Sequence, residues 1–583
     1  MFLPTTQKEM KTLDWNRLDV ILVTGDAYID SPFIGIAIIG KVLVDNGYRV
    51  GIIAQPDMDS ITDISRLGEP LLFWGITGGC VDSMVANYTA LKKKRKQDDY
   101  TPGGYNNKRP DRAAIAYSNL VRKYFKNTRP IVLGGIEASL RRIAHYDFWS
   151  NTIRRSVLFD AKADYLLFGM AHTSIVKFAG ALRDNNDPTS LNGIAFISKE
   201  KKGKELPSFE AVQKNKGDYI NSFHTFYANN DPITAQPLCQ QHNDRYLVLN
   251  PPEPYSTTKQ LDHIHSLGFE RDLHPFYKAL GPVKAISTIR FSIPTHYGCY
   301  GECNFCAISV HQGQTVRFRS EESIVNEAKA ISQLKDFKGY ITDLGGPTAN
   351  MYGFECKKKL KQGVCQDKRC LFPETCKTLV PDHSKQIRLI EKIERLPGIK
   401  KVFISSGIRY DLILNDTRNG SAFLEKIVKD NVSGQMKIAP EHTIPHVLNL
   451  MGKQNSDLLL QFKNKFDELS QKAGKKQFLT YYLIAAHPGC NMKDMEALKK
   501  FANQKLKMTP EQVQIFTPSP STYSTLMYYT GLDPFSMTPI WVEKDPVNKE
   551  RQKKIITDKP LQRYKKDHKR GVGTKKHRNF SQA

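Results

Sequence analysis

Cys299, Cys303 and Cys306 are the residues whose types and spacing speak most directly of chemistry. They form a C-x3-C-x2-C pattern with Phe305 just before the last cysteine. Thiolate is the usual protein ligand of iron–sulfur centres, and three thiolates on one tight loop can hold three irons of a 4Fe–4S cubane. A complete protein cage would use a fourth ligand, so one iron is left open to a small chelating molecule. The competing readings are three core cysteines or a zinc site, for which His296 or His311 could supply the fourth ligand. Cys356, Cys365, Cys370 and Cys376 form a second group, C-x8-C-x4-C-x5-C, in a polar, lysine-rich stretch. Four thiols without a large apolar run beside them suggest a metal-nucleated knot, built on zinc or a second iron–sulfur cluster. Cys490 stands alone, either a catalytic thiol or a buried one.

The elements that must position these residues read as two α/β units. In residues 1–195, Asp19–Thr24, Val50–Ala54, Pro70–Trp74, Pro130–Leu133 and Asp164–Phe168 are short apolar runs suited to buried parallel strands. Ile34–Asn46 and Asp111–Asn127 have helical spacing between them, which predicts a doubly wound, Rossmann-like domain. Residues 196–285 read as a bridging segment, and residues 546–583 as a basic, disordered tail. From 286 to 545 the alternation predicts six βα units, an incomplete TIM-type barrel with a Cys-rich insertion at 350–382. Its strands are Thr288–Ile293, Tyr340–Leu344, Lys401–Ser405, Gln435–Ala439, Phe478–Ala485 and Gln512–Phe516. The unusual residues all follow these strands: His296–Cys306, Gly345-Gly346, Ser405-Ser406 with Arg409, Glu441, and Cys490. Active sites of α/β barrels lie on the loops at the C-terminal ends of their strands.

A C-x3-C-x-aromatic-C loop after a first barrel strand resembles the radical S-adenosylmethionine (SAM) superfamily. DAYIDSPFIGIAIIG (Asp26–Gly40), GGIEASLRR (Gly134–Arg142), DLGGPTANMYG (Asp343–Gly353), SSGIRYD (Ser405–Asp411), KIAPEHT (Lys437–Thr443) and MYYTGLDP (Met527–Pro534) are similar to the YgiQ-like family within it. The resemblance implies that the open iron chelates SAM, whose sulfonium is cleaved by one electron to a 5′-deoxyadenosyl radical. It implies that Phe305, Gly345 and Gly346 contact SAM, with Ser405, Ser406, Arg409 and Glu441 around its ribose and carboxylate. An electron donor such as flavodoxin or ferredoxin would be a partner. The N-terminal unit resembles a cobalamin-binding domain, but the loop Asp30-Ser31-Pro32-Phe33-Ile34-Gly35 lacks the histidine of an Asp-x-His-x-x-Gly motif, which argues against cobalamin.

Composition bounds the rest. The chain has 583 residues, 40% of them hydrophobic, enough for large cores. No apolar run is long enough to span a membrane and the first residues lack a signal-peptide pattern, so a cytoplasmic location is expected. The net charge is +26, and residues 544–583 hold 14 Lys/Arg against 4 Asp/Glu, so much of it is local. The charge admits nucleic acid as a partner. It motivates two further readings: an RNA methyl- or methylthiotransferase of the same superfamily, and a non-enzymatic, zinc-bearing RNA-binding protein.

Overall fold

Buried aliphatic runs at β1 (Val20–Thr24), β2 (Val50–Ala54), β3 (Phe73–Thr77), β4 (Ile131–Gly134) and β5 (Tyr165–Leu167) pair in parallel. Helices cover both faces: Ala113–Tyr124 packs on one, Gly35–Asp45 and Ser174–Arg183 on the other. Strands buried on both faces read as continuous apolar runs, which is why these were legible. The computed structural model describes residues 1–511 and 513–558.

The sheet does not stop at residue 195. β6 (Ile194–Ser198), β7 (Lys204–Leu206), β8 (Leu238–His242) and β9 (Arg245–Leu249) extend it to nine strands, in the order β7-β8-β9-β6-β5-β4-β3-β1-β2. The segment expected to bridge, 196–285, therefore builds the antiparallel flank of the N-terminal sheet. Its helix Lys216–Ala228 buries Tyr219, Phe223 and Phe226 in the same core. Polar residues interleave with the apolar ones along this stretch, which masked it.

The second unit keeps the expected six-strand order. β10 (Ser292–Pro294) pairs with β12 (Asp343–Gly345), and β11 (Tyr340–Ile341) with β13 (Lys401–Val402), both in parallel. Ile408 bridges to Ile438 in β14 (Gln435–Glu441), which pairs with β15 (Phe478–Ala485) and so with β16 (Val513–Ile515). The first strand begins later than Thr288, because Ile286–Ile289 is a helical turn with Ser287 and Thr288 exposed. Ser320 caps helix Glu321–Ser332 through Ser323 N, as the sequence predicts.

The first part of the expected tail belongs to this fold. Pro546–Thr557 is a helix capped by Asp545, with Gln552 and Ile556 fully buried. Gln552 accepts from Ala486 N and donates to Cys490 O, fastening the helix to the end of β15. Residues 559–583 lie outside the described residues. No helix among the described residues is long and apolar enough to cross a membrane.

Candidate active site

The loop after β10 is built to hold its thiols in one place. Gly298 turns the chain at φ +83°, where a Cβ would fall 2.4 Å from Thr315 O, so no other residue fits without rearrangement. Cys306 N donates to Cys303 O at 2.9 Å, and Gly301 N donates to Cys299 Sγ at 3.4 Å. The Cys-rich insertion braces the loop from outside, with Arg369 donating to Glu302 O and to Asn304 Oδ1.

The electrostatics fit a cationic occupant. Burial pushes the Cys306 thiol up to about 12, and the neighbouring Cys303 thiol adds to the shift. Cys299 is raised for the same two reasons. Three thiolates at this spacing repel one another, so their joint ionisation calls for positive charge between or beside them. Part of that charge is already there: Arg409 Nη1 approaches Cys303 Sγ at 3.7 Å. A cubane anchored by three cysteines suits this donor set, since ligation removes the protons that burial holds on.

Neither proposed fourth zinc ligand is turned to the thiols. His296 uses both ring nitrogens, on Thr295 Oγ1 at 2.8 Å and Thr348 O at 3.0 Å. His311 lines a cavity, and its Nδ1 finds no hydrogen-bond partner among the described residues.

The other expected contacts surround the loop unequally. Gly345 ends β12, and a Cβ on Gly346 would strike His296 at 2.6 Å, so this pair allows close backbone packing. Phe305 lies edge-on to His487 at 6.3 Å between centroids. Glu441 closes β14 at φ +68°, an uncommon conformation for a non-glycine residue. Burial raises its carboxyl above the usual range, opposed by Lys453 and Arg409. The serines behave differently. Ser405 Oγ donates to Thr342 O at 2.7 Å and Ser406 Oγ to Asp343, so both hydroxyls are spent on the neighbouring strand. Asp343, which accepts from both serine amides as well, is the residue the sequence analysis passed over. It precedes the glycine pair by two positions.

Asp411 is a second omission. Its carboxylate grips the Arg409 guanidinium, with Nε to Oδ1 at 2.9 Å, and the side chains are only 12% and 4% exposed. Breaking such a pair strands a buried charge. Asp411→Asn is expected to cost about 3–5 kcal/mol in the cluster-free protein, read from urea unfolding. Replacing both partners with apolar residues should cost much less.

The second cysteine group is drawn together in part. Cys356, Cys370 and Cys376 join a small core with Tyr300, Leu371 and Leu379, and Cys299 packs against the same core. Cys356 and Cys376 both reach Thr378 Oγ1, at 3.6 and 3.2 Å. Cys365 is half-buried outside that core. Among the described residues no three Cys, His, Asp or Glu side chains close around a single ion. Cys490 is fully buried, contacting His442 Nε2 and Gln552 Oε1 at 3.6 Å, and does not line the cavity.

That cavity, about 460 Å³, separates the two units. Its floor is the C-terminal edge of β1, β3, β4 and β5, at Thr24, Thr77, Gly134 and Leu167. Its roof is Pro294, His296, Tyr297, Gly346 and Pro347, the shoulders of the cysteine loop. In open α/β sheets ligands bind beyond the carboxyl ends of the strands, where the strand order reverses, as it does at β1 and β3 here. The volume is typical of a ligand pocket.

Comparison with known proteins accords with this geometry. Residues 2–292 match the family described as Radical SAM N-terminal, and residues 293–502 match the Radical SAM superfamily. The chain is a radical SAM enzyme. A UPF0313 protein of Fusobacterium nucleatum is 56% identical over 561 residues, covering 96% of this chain and 99% of that one. One from Thermotoga maritima is 47% identical over 573 residues, covering 97% of this chain and 100% of that one. The chain belongs to the UPF0313 family, the YgiQ-like proteins whose motifs it resembles, and the non-enzymatic reading falls away.

Solved structures share the fold at low identity. TsrM, a radical SAM methyltransferase from Kitasatospora setae solved with cobalamin and a [4Fe-4S] cluster, aligns with a TM-score of 0.51 at 13% identity, covering 87% of this chain and 77% of that one. OxsB, a cobalamin-dependent SAM radical enzyme solved with aqua-cobalamin, aligns with a TM-score of 0.50 at 11% identity, covering 88% and 56%. These neighbours overturn the expectation against cobalamin. That expectation rested on one missing histidine, yet both of those proteins, which share this fold, were solved with cobalamin bound.

Proposed function

We propose that the chain holds a 4Fe–4S cluster on Cys299, Cys303 and Cys306 and cleaves SAM reductively, turning the resulting radical on an organic substrate. The observation that carries this reading is the half-buried three-thiol loop at the top of β10, with Arg409 against Cys303. When bound, the cluster supplies an electron to the sulfonium of SAM, giving methionine and a 5′-deoxyadenosyl radical. The protein's own residues orient and protect. Arg409, fixed by Asp411, sets positive charge beside the thiolates. Gly346 lets His296 pack against the strand end, and Gly345, Gly346, Glu441 and Phe305 are the contacts assigned to SAM. Asp343 stiffens the strand ends under the site through Ser405 and Ser406. The N-terminal sheet covers the barrel mouth and keeps water from the radical. We assign residues 286–545 to the barrel and 1–285 to the covering unit. The test is anaerobic reconstitution: about four irons per chain in the three-thiol site, and 5′-deoxyadenosine on reduction with dithionite. Reconstituted protein that yields no 5′-deoxyadenosine would end this reading.

The apolar cavity favours a second cofactor. TsrM is a methyltransferase bearing cobalamin, and a corrinoid in the corresponding place would let this chain move methyl groups. The loop Asp30–Gly35 offers no histidine, so such a corrinoid would be held without that axial ligand. Titration with hydroxocobalamin is expected to change its visible spectrum and co-elute pigment on gel filtration. Ala171→Trp, which fills the cavity wall, should weaken this binding at least about tenfold, the effect of some 1.4 kcal/mol. RNA as the acceptor is tested by comparing RNA modifications in a deletion strain; an unchanged profile excludes it.

A further inference from the structure

From the surface of the Cys-rich insertion we infer that this face is the docking site of an acidic one-electron carrier protein. The inference rests on the cluster assignment above. Helix Lys357–Gln362 and the strand-less chain that follows expose Lys357, Lys358, Lys361, Lys368 and Lys377, while the exposed acids there are Asp367 and Glu374. Exposed Leu360 and Val380 lie among them. A basic surface with apolar elements suits a partner of negative charge.

Its position matters more than its charge. Lys359 of the same helix turns inward, to Glu355 Oε1 and Gln314 O, both at 2.9 Å, and to Cys370 Sγ at 3.8 Å. Its ammonium lies 5.1 Å from the ring centroid of Tyr300, the residue after Cys299. Cys299 itself packs on the insertion's core. One layer of side chains therefore separates the lysine surface from a cluster thiol. On the opposite side of the loop, Gly346 and His296 face the cavity closed by the N-terminal sheet, which leaves no room for a protein. Substrate and reductant thus approach from different sides. The transfer is one electron: the carrier is oxidised by one electron and the cluster reduced by one, with no bond made or broken at the interface.

The experiment compares two reductants on the full-length, reconstituted protein. The K357E/K358E/K361E/K368E/K377E variant is expected to raise the KM for photoreduced flavodoxin at least about tenfold at low salt, within the range that charge steering commands. Its dithionite-driven SAM cleavage should equal that of the unaltered protein. Raising the salt should slow the flavodoxin-driven rate of the unaltered protein and leave the variant's rate flat. K465E/K476E, beside the N-terminal end of β15 and so at the end of the barrel away from the cysteine loop, should leave the flavodoxin KM unchanged. Substitution of the same five insertion lysines by glutamine guards against misfolding and should give a smaller loss in the same direction. An unchanged flavodoxin KM overturns the inference. Direct binding of flavodoxin, read by fluorescence anisotropy, separates it from the cluster assignment: absent SAM cleavage with dithionite condemns the assignment, whereas salt-independent binding to both proteins condemns the docking face.

Discussion

Cys303→Ala is expected to lower iron and sulfide to background and to reduce 5′-deoxyadenosine formation to the uncatalysed level. Cys303 is the middle ligand of the three, the thiol that raises both Cys299 and Cys306 and the one that Arg409 touches. Its loss leaves two anchors and places the guanidinium against a methyl group. The fold should survive, since a half-buried loop residue truncated to alanine commonly costs about 1 kcal/mol. Circular dichroism and urea unfolding of the metal-free proteins would check this. Cys490→Ala supplies the contrast. That thiol is buried with His442 and Gln552, so its removal should cost stability and leave iron content and SAM cleavage intact. Full cluster content in Cys303→Ala, or its loss in Cys490→Ala, would refute the assignment.

The contrast between these cysteines also marks what a sequence can carry. A tight motif such as Cys299–Cys306 is local, so its spacing survives in one dimension. Alternation is local too: Phe478–Ala485, whose residues face alternately into the core, stands where the pattern puts it. Partnerships between distant residues are not. Asp343 and Asp411 acquire their importance from Ser405, Ser406 and Arg409, which only folding brings near. Ser405 and Ser406 looked free in sequence because nothing there reveals that their hydroxyls bond to the adjacent strand. The cobalamin inference failed for a related reason. A cavity made by the ends of several strands cannot be excluded from one residue in one loop. Helix Pro546–Thr557 escaped notice because its apolar content is small, Val547, Ile555 and Ile556, while polar Gln552 and Lys549 are buried with Ile556 against the barrel.

Acidification should unfold the protein around pH 5.5, far above the range in which carboxylates titrate. Among the histidines held neutral chiefly by burial, His145 and His172 fall to about 4, and His242, His442 and His487 to about 3. In the unfolded chain each returns to about 6.5. Below that value the unfolded state binds protons that the folded state refuses, so stability is whole above about pH 6.5 and is lost as pH falls towards the folded values. At one unit below 6.5 each histidine has cost about 1.4 kcal/mol. Five together cost about 7 kcal/mol, comparable with the 5–15 kcal/mol that holds a typical protein together. Asp147 and Asp416, both lowered to about 2, act in the same direction, but only below about pH 4. Urea midpoints at pH 7.5, 6.5 and 5.5 should therefore fall ever more steeply, and unfolding at pH 5.5 should take up at least about four protons. His242 offers the sharpest check. Its ring lies 4.5 Å from Phe159 and 5.4 Å from Phe209, and neither nitrogen has a partner among the described residues. His242→Phe keeps the packing and removes one titrating group, so it should stabilise the protein at pH 5.5 relative to pH 7.5 by about 1.4 kcal/mol. Uptake of fewer than about two protons would mean that these rings are solvated or charged in the folded protein, and that burial does not govern its acid stability.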